Sequence, residues 1–404
     1  MMPSVASESV KEEKIMPLAL FALMLGAFAI GTTEFVIVGL LPTIAADLGV
    51  TLPSAGLAVS LYALSVAVSA PLLTAATARW PRKNVLLMLM AVFVVGNLLA
   101  WQATGFATLL SARVVTGLAH GVFFSIGATI ATQLVAKEKA AQAIAMMFTG
   151  LTVALVTGVP LGTFIGQHLG WQTTFLIVSA LGVAAFAGSL LFIPRQLQQS
   201  TPPTRRQQLA VLTSPRLWQV YAMTVIGYGG TFVLFTFLTP ILQQLGGFGN
   251  NAVSLMLVAY GTAVASGNIL GAKLADRSGA RTALKILFAA QVWVLLSFIL
   301  TATHPAALAV STILLGLTSF ATVPPLQLLV VQQAQQDAPQ AVEVASGFNI
   351  AAFNLGITFG AALGGQIVAH SSLIHTAWAG ALLLTIAALM AGHRHKTTPT
   401  PTRA

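Results

Sequence analysis

Long apolar runs separated by short polar segments make up most of this chain. Division at the charged, Pro-rich or Gly-rich connections gives twelve apolar segments, the first running from residue 16 to residue 42. A helix needs roughly 20 residues to cross about 30 Å of hydrocarbon, and each segment is long enough to do so. The pattern therefore predicts an all-α membrane protein with twelve transmembrane helices.

The basic residues are distributed unevenly among the polar connections. Eighteen of the nineteen Lys and Arg residues lie in polar segments, and only Arg113 lies inside an apolar run. The basic segments are the two tails and four alternate connections, and the connections between them contain no Lys or Arg. The positive-inside rule produces this alternation, so both termini and the basic connections are expected in the cytoplasm.

The longest polar connection divides the spans into six and six. The apolar run after the first tail is too long for a secretory signal peptide, so that tail is expected to be retained. The predicted organisation is a cytoplasmic tail (1–15), a six-helix bundle (16–193), a cytoplasmic linker (194–214), a second six-helix bundle (215–392) and a cytoplasmic tail (393–404).

The two halves resemble each other at an offset of about 200 residues, as expected for a transporter built from duplicated bundles. Glycines recur every four residues in the fifth and eleventh segments, which places each set on one helix face where another helix can approach closely. Ordinary tight packing explains either set alone, but their matching positions indicate two pseudo-symmetric bundles. The glycines are Gly158, Gly162 and Gly166 in the first half and Gly356, Gly360 and Gly364 in the second.

Composition excludes several classes of protein. Charged residues are 7% of the chain, hydrophobic residues are 56%, and a water-soluble fold would lack the polar surface to cover itself. The net charge is +10, but the basic residues are spread over six polar segments, namely four connections and the two tails, so no nucleic-acid partner is expected. The chain has no Cys, no phosphate-binding loop and no H-E-x-x-H motif, so the sequence predicts no metal, no cofactor and no enzymatic site.

Two charged residues interrupt the apolar segments. A charge at mid-membrane costs on the order of 3 kcal/mol on insertion scales, so Glu34 and Arg113 need a reason to be there. Counting from the predicted span ends places both roughly 10 Å below the outer surface, where they could pair. We hypothesise that Glu34 takes up and releases a proton, that Arg113 favours its ionised form, and that substrate competes for the site. A static ion pair joining spans 1 and 4 is the alternative.

His120 lies two turns from Arg113 on nearly the same helix face. It could relay a proton or hydrogen-bond a substrate, because histidine titrates near physiological pH. It could equally be a neutral histidine bonded to a neighbouring helix.

Further polar and aromatic residues lie within the apolar segments. Some are expected to line a substrate cavity, because unsatisfied amides are costly in lipid, while helix-to-helix bonding or core packing is the alternative for each one. Pro160 and three other prolines are expected to mark bends. The cavity candidates are Tyr62, Tyr228, Phe232, Phe235, Asn268, Gln327, Asn349 and Asn354.

Three segments carry a family resemblance. Residues 31–48, G-T-T-E-F-V-I-V-G-L-L-P-T-I-A-A-D-L, resemble the first-helix signature of the bacterial drug/proton antiporter branch of the major facilitator superfamily, which includes sugar-efflux and arabinose-efflux-like transporters. Residues 113–121, R-V-V-T-G-L-A-H-G, resemble the R-x-x-x-G pattern whose Arg is associated with proton coupling. Residues 158–162, G-V-P-L-G, resemble the antiporter signature. The resemblance implies the major facilitator fold, a bacterial inner membrane, export and a monomer.

A fourth segment resembles the superfamily's cytoplasmic gate signature. In L-A-D-R-S-G-A-R, residues 274–281, Asp276 and Arg277 stand in the expected charged positions and Arg281 ends the motif. The first-half copy has Ala78 in place of the acid and Pro81 in place of the glycine. By analogy, Asp276 would interact with nearby helix ends or basic side chains when the cytoplasmic side is closed. A solvated loop is the alternative.

These observations predict a proton-driven exporter of small amphipathic or sugar-like molecules that works by alternating access. Its partners would be the substrate, protons and the lipid bilayer. A proton-coupled importer on the same fold and a non-transporting receptor or scaffold are the alternatives, whereas a membrane enzyme lacks a cluster of catalytic residues. Sugars, drugs, nucleosides and amino-acid metabolites all remain open as substrates.

Overall fold

The computed structural model describes residues 5–77, 79–136, 139–197 and 204–393, so Ala78 of the first-half gate motif lies outside the described part. The first half contains α1 (Val5–Asp47), α2 (Leu52–Ala76), α3 (Arg82–Trp101), α4 (Phe106–Gln133), α5 (Ala140–Val153), α6 (Val159–Leu169) and α7 (Trp171–Phe192). The linker contains α8 (Arg205–Leu212). The second half contains α9 (Pro215–Phe235), α10 (Leu238–Pro240), α11 (Asn250–Ser278), α12 (Ala280–Thr301), α13 (Pro305–Ser319), α14 (Val323–Asp337), α15 (Val342–His370) and α16 (His375–Gly392).

Twelve spans in the described residues are long and apolar enough to cross a membrane, and the same residues contain no strand. The predicted all-α class and number of spans are confirmed. Three spans are built from more than one helix. A π-helical turn (Ala154–Gly158) joins α5 to α6, another (Ile241–Leu245) follows α10, and a break separates α13 from α14. Pro160, Pro240 and the pair Pro324 and Pro325 lie at these interruptions.

The first span is longer than predicted. We expected it to end at residue 42, but α1 continues through Pro42 to Asp47 and begins at Val5, inside the predicted tail. Pro42 has no N–H to donate to the Val38 carbonyl, and prolines in membrane helices are tolerated where neighbouring helices supply hydrogen bonds. Beside this carbonyl, the Gln167 amide on α6 donates to the Gly39 carbonyl at 3.5 Å. Glu34 therefore lies near the middle of the Leu18–Asp47 span, farther from the end of that span than the predicted bounds placed it.

The glycine faces pack against the first helix of their own half. In span 5, a side-chain carbon added at Gly162 would meet Val36 of α1, and the other two glycines face α1 in the same way. In span 11, a side-chain carbon at Gly360 would meet the Gly229 backbone of α9. The two halves thus repeat one close helix pair, as expected for duplicated bundles.

The two halves touch on one side of the bundle. We call the side with the connection after Asp47 the Asp47 side, and the opposite side, with the connection between α7 and α9, the linker side. Near the Asp47 side, the Thr358 hydroxyl of α15 donates to the Ser60 carbonyl of α2 at 3.3 Å, and a carbon added at Gly365 would lie 3.5 Å from the Pro53 carbonyl.

Contacts between the halves are lost towards the linker side. Gly347 lies about three turns before Thr358 on the same face of α15, and a side-chain carbon there would meet no described atom within 4 Å. Helix α14, which forms the linker-side part of span 10, packs against α9, α11, α12 and α15 of its own half. The halves therefore separate towards the linker side.

Replacement of Gly360 by alanine should destabilise the protein, because its new methyl group would collide with the rigid backbone of α9. We expect a loss of about 1–3 kcal/mol, the range of an overpacked core site. Gly347→Ala is the matched control, since it adds the same methyl group to the same helix in open space. Thermal unfolding of the purified variants in detergent should lower the midpoint for G360A only, and equal midpoints would contradict the close packing of α15 on α9.

Candidate functional site

Glu34 lies in a small polar cluster inside the first half. Its side chain is 10% exposed, and Oε2 lies 4.0 Å from His120 Nδ1. Side chains of a helix lean towards its N-terminus, so the Glu34 carboxylate points along α1 towards the linker side. His120 lies in that direction, because α4 runs antiparallel to α1 and reaches His120 two turns after Arg113. The antiparallel arrangement thus brings the acid and the imidazole together.

Arg113 binds backbone carbonyls in place of the predicted carboxylate. It is 1% exposed, and its guanidinium donates to the carbonyls of Thr33 (2.7 Å), Glu34 (3.4 Å) and Ala58 (3.2 Å). The guanidinium carbon also lies 4.0 Å from the centre of the Tyr62 ring. One buried cation therefore ties α4 to α1 and α2 through a fork of N–H donors.

The static ion pair of Glu34 with Arg113, considered from the sequence, is not formed in this structure. Within the described residues, two acid–base pairs lie within 4.0 Å, namely Glu34 with His120 and Asp337 with Arg216. The carboxylate leans away from the guanidinium because the side chain follows the direction of α1. The guanidinium remains close enough to act on Glu34 electrostatically while its hydrogen bonds go to the backbone.

His120 joins Glu34 to Tyr62. The Tyr62 hydroxyl and His120 Nδ1 are 3.1 Å apart, and the edge of the imidazole ring packs against Phe124. The bond to a neighbouring helix, one of the alternatives raised for this residue, is therefore formed, and the relay role remains a prediction. His120 is also the titratable group beside Glu34. Glu34, His120 and Tyr62 can each hold or give up a proton, so the cluster has the composition of a short proton relay.

An aromatic cluster begins at Phe35, the residue after Glu34, and crosses to the second half. The Phe35 ring packs against Phe232 at 6.4 Å and against Phe320 at 5.9 Å between centroids. Tyr228 stacks on Phe232, and Phe353 meets Tyr228 edge-on at 4.5 Å. The cluster continues through Phe235 to Tyr260.

Three predicted cavity residues thus belong to one aromatic set, which is mostly buried in this conformation and lies where the halves meet. The sequence analysis did not select Phe35, Phe320, Phe353 or Tyr260. Of these, Phe35 alone carried a local signal, because it follows Glu34 directly.

A second polar cluster occupies the second half. Asn349 on α15 is fully buried, accepts a hydrogen bond from the Thr224 hydroxyl at 2.8 Å and donates to Gln327 at 2.9 Å. Two other predicted amides do not join it. Asn354 donates to its own helix, and the side-chain oxygens of Asn268 and Asn354 have no hydrogen-bond partner among the described residues.

The gate residues lie at the linker-side end of α11. Asp276 and Arg277 are exposed, and neither side chain has a hydrogen bond or ion pair within the described part of the chain. Arg281 donates to the His393 carbonyl at 3.1 Å and to Gln219 at 3.4 Å. In the first half, Lys83 is buried and donates to the carbonyls that end α7. The predicted latch role of Asp276 remains a prediction for the closed state.

Comparison with known proteins places this architecture in a family. The Major Facilitator Superfamily profile matches residues 23–342. The MFS-type transporter YtbD of Bacillus subtilis is 48% identical over 93% of this chain and 94% of its own. A chloramphenicol resistance protein of Streptomyces lividans is 34% identical over 93% of this chain and 96% of its own. The crystal structure of the human organic anion transporter MFSD10 shares the fold with a TM-score of 0.68 at 16% identity, covering 94% of this chain and 99% of that one.

Arg113→Lys should weaken the protein although it keeps the positive charge. An ammonium group cannot reproduce the fork that reaches carbonyls on two helices or the flat contact with Tyr62. We expect a loss of about 1–3 kcal/mol in unfolding free energy, the range for hydrogen bonds to a charged group. Arg216→Lys is the control, since Arg216 pairs with Asp337 at the partly exposed surface, where such pairs contribute little. Urea or thermal unfolding of both variants measures the difference, and equal losses would contradict a special role for the guanidinium.

Proposed function

Because the chain belongs to the major facilitator superfamily, in its drug-efflux branch, we propose that it exports small amphipathic molecules in exchange for protons. The observation that carries this proposal is Glu34. It is a carboxyl group at the middle of a membrane span, beside His120 and with its oxygens free of any arginine ion pair among the described residues. A carboxylate locked in a buried ion pair would resist protonation, whereas one that faces a histidine can exchange a proton.

The conformation supports a path from the linker side. The halves meet near the Asp47 side, through Thr358 and Ser60, and separate towards the linker side at Gly347. The Lys and Arg residues are concentrated in the linker-side connections, so we propose that this side and both termini face the cytoplasm. In this conformation a cytoplasmic molecule could then approach Glu34 between the halves.

Competition between proton and substrate would produce the exchange. In the inward-open state, the ionised Glu34 carboxylate can bind a substrate that carries hydrogen-bond donors. When the centre faces outward, a proton from the acidic outside neutralises Glu34, weakens that interaction and releases the substrate. His120 and Tyr62 pass or hold the proton, and Arg113 holds α1 and α2 in register around it. Each half-cycle changes the charge at one carboxyl group, which is how a proton gradient shifts the balance between two conformations.

The walls between the halves favour a substrate with an apolar, ring-containing part. The ring of Phe35, the residue after Glu34, packs against Phe232 and Phe320, and Tyr228 stacks on Phe232. Gln327, half-buried and bonded to the fully buried Asn349, adds an amide group. Aromatic rings contribute large apolar contact with specific stacking geometry, and the amides offer hydrogen bonds. The name of the Streptomyces lividans relative suggests chloramphenicol as a first compound to test, and sugar-like molecules remain within the proposal.

Glu34→Gln should abolish export driven by a proton gradient, because an amide cannot take up and release the proton. We expect at least a tenfold loss of ΔpH-driven accumulation of labelled chloramphenicol in everted vesicles, with labelled arabinose as the parallel probe. Glu343→Gln makes the same chemical change at an exposed position of α15 and should keep wild-type transport.

Several outcomes would contradict this proposal. Undiminished gradient-driven transport by E34Q would exclude Glu34 as the coupling group. Loss of label from vesicles on acidification inside would indicate import. A lack of any proton-dependent movement across a broad panel of drugs, sugars and nucleosides would favour a non-transporting receptor.

Phe232→Leu should weaken substrate binding more than it weakens the fold. Leucine keeps an apolar side chain but removes the ring that faces Phe35 and Tyr228, so we expect the apparent KM for an aromatic substrate to rise about three- to tenfold, or roughly 1 kcal/mol. Phe298→Leu, a fully buried phenylalanine on α12, is the control for the loss of a ring in the core. Equal effects of the two variants on KM would remove Phe232 from the substrate path.

A further inference from the structure

The duplicated halves contain two copies of one polar arrangement. In the first half, the Thr33 hydroxyl of α1 donates to Asn97 of α3 at 2.8 Å. About 200 residues later, the Gln291 amide of α12 donates to the Thr231 hydroxyl of α9 at 2.8 Å. All four side chains are at least 98% buried. The same two spans of each half are therefore joined by a threonine and an amide at equivalent places.

The glycines of α4 and α13 fix how the two copies correspond. Gly117 packs against the Tyr62 carbonyl of α2, and Gly316 packs against the Tyr260 carbonyl of α11. Arg113 stands four residues before Gly117, and Thr312 stands four residues before Gly316. His120 and Ser319 each follow three residues after these glycines, and Glu34 and Phe232 each follow the paired threonine. The second half thus repeats the arrangement with every charged or titratable group except the tyrosine replaced by an uncharged one.

The hydroxyl proton points in opposite directions in the two copies. Thr231 donates its proton to the Gly227 carbonyl of its own helix at 3.1 Å and accepts from Gln291. The Thr33 hydroxyl donates its hydrogen bond to Asn97 instead, so the lone pairs of its oxygen face Arg113. The guanidinium lies 3.5 Å from this oxygen and 2.7 Å from the Thr33 carbonyl. Asn97 is held in this role because its own N–H group donates to the Phe93 carbonyl at 2.8 Å.

We infer that Asn97 is a positioning residue for Glu34: by accepting the hydrogen bond of the Thr33 hydroxyl, it keeps the lone pairs of that hydroxyl turned towards Arg113, beside the Thr33 carbonyl, and the guanidinium away from the carboxylate. The inference rests on the proposed role of Glu34 in proton exchange. Asn97 touches neither the proton nor the substrate. It acts through Thr33 on the distance between the buried cation and the buried acid.

Few titratable groups lie close to Glu34, so a change in the position of the Arg113 guanidinium should be measurable in the titration of Glu34. The titratable groups that face it are Arg113 and His120 on α4, Tyr62 on α2 and Tyr228 on α9. Helices α5, α7 and α10 also pack on α1 but contain no titratable residue, and α6 contains only His168, near its end. Helix α11 touches α1 as well and contains Tyr260, which stacks on Phe235, and charged residues at its linker-side end. A change in the position of the guanidinium should therefore dominate any change in the titration of Glu34.

Asn97→Leu should move the titration of Glu34 to lower pH. Without its acceptor, Thr33 can turn its proton to its own helix as Thr231 does, and the guanidinium, having lost a partner, can approach the carboxylate and favour its ionised form. We expect a shift of about one pH unit. The readout is the protonated-carboxyl band in pH-dependent infrared difference spectra of the reconstituted protein, assigned to Glu34 by its absence in Glu34→Gln. This measurement needs no substrate.

Gln291→Leu is the matched control, because it removes the equivalent threonine–amide bond at the same burial in the second half, where Phe232 and Thr312 stand in place of Glu34 and Arg113. It should leave the Glu34 band unshifted. If Asn97→Leu does not fold, the nearly isosteric Thr33→Val should reproduce the shift. Thr33→Ser keeps the hydroxyl and should titrate like the wild type. The double variant T33V/N97L should shift no further than either single variant.

The possible results separate the inference from the proposed function. A Glu34 band that titrates in the wild type and stays in place in both Asn97→Leu and Thr33→Val, or that moves equally in Gln291→Leu, would overturn the positioning role and leave the proposed function standing. A wild type with no titrating band that depends on Glu34 would overturn the proposed function and this inference with it.

Discussion

A charged side chain in lipid must find its partners inside the protein, and the Arg113 guanidinium is where that constraint is strongest. It donates to carbonyls on α1 and α2 and covers the Tyr62 ring. Carbonyl groups carry no formal charge, so they satisfy the cation without neutralising a carboxylate. Glu34 remains an acid with a histidine beside it. The separation of the two charges, which the backbone makes possible, is the condition on which the proposed proton exchange at Glu34 depends.

Hydrophobic periodicity and charge placement were sufficient to predict the twelve spans and their division into six and six, because a segment that crosses a bilayer must be apolar over its whole length. The end of the first span was missed at Pro42. In water, a proline within a helix usually ends or kinks it. In a packed membrane bundle a neighbouring helix can supply hydrogen bonds near the interruption, and Gln167 of α6 donates to the Gly39 carbonyl, three residues before Pro42. A span boundary set by a partner helix cannot be seen in the local sequence.

Only some residues of the polar cluster around Glu34 could be identified from the sequence, for a related reason. Glu34, Arg113 and His120 stand out because ionisable groups are rare in apolar segments. Nothing in the local sequence distinguishes Thr33 or Asn97 from other polar residues of membrane helices. Their hydrogen bond joins α1 to α3 across more than sixty positions of sequence and appears only in the folded structure. The same holds for Phe320 and Phe353, whose significance lies in their contact with Tyr228. Rarity identifies charges in a single sequence, but the neutral groups that orient them are identified only by the packing of helices.

The difference between the halves has a mechanical consequence. Both halves keep the glycine contacts and the threonine–amide bond, so both retain the rigidity that lets a bundle move as one body. Only the first half keeps the acid, the cation and the histidine, while Phe232 at the place of Glu34 extends an aromatic surface across the interface. A second carboxylate there would lie against Phe35, the residue after Glu34, and two like charges in a poorly hydrated space oppose each other's ionisation. In the proposed cycle, keeping the charge in one half and the apolar surface in the other would let a single protonation event act on the interface between them.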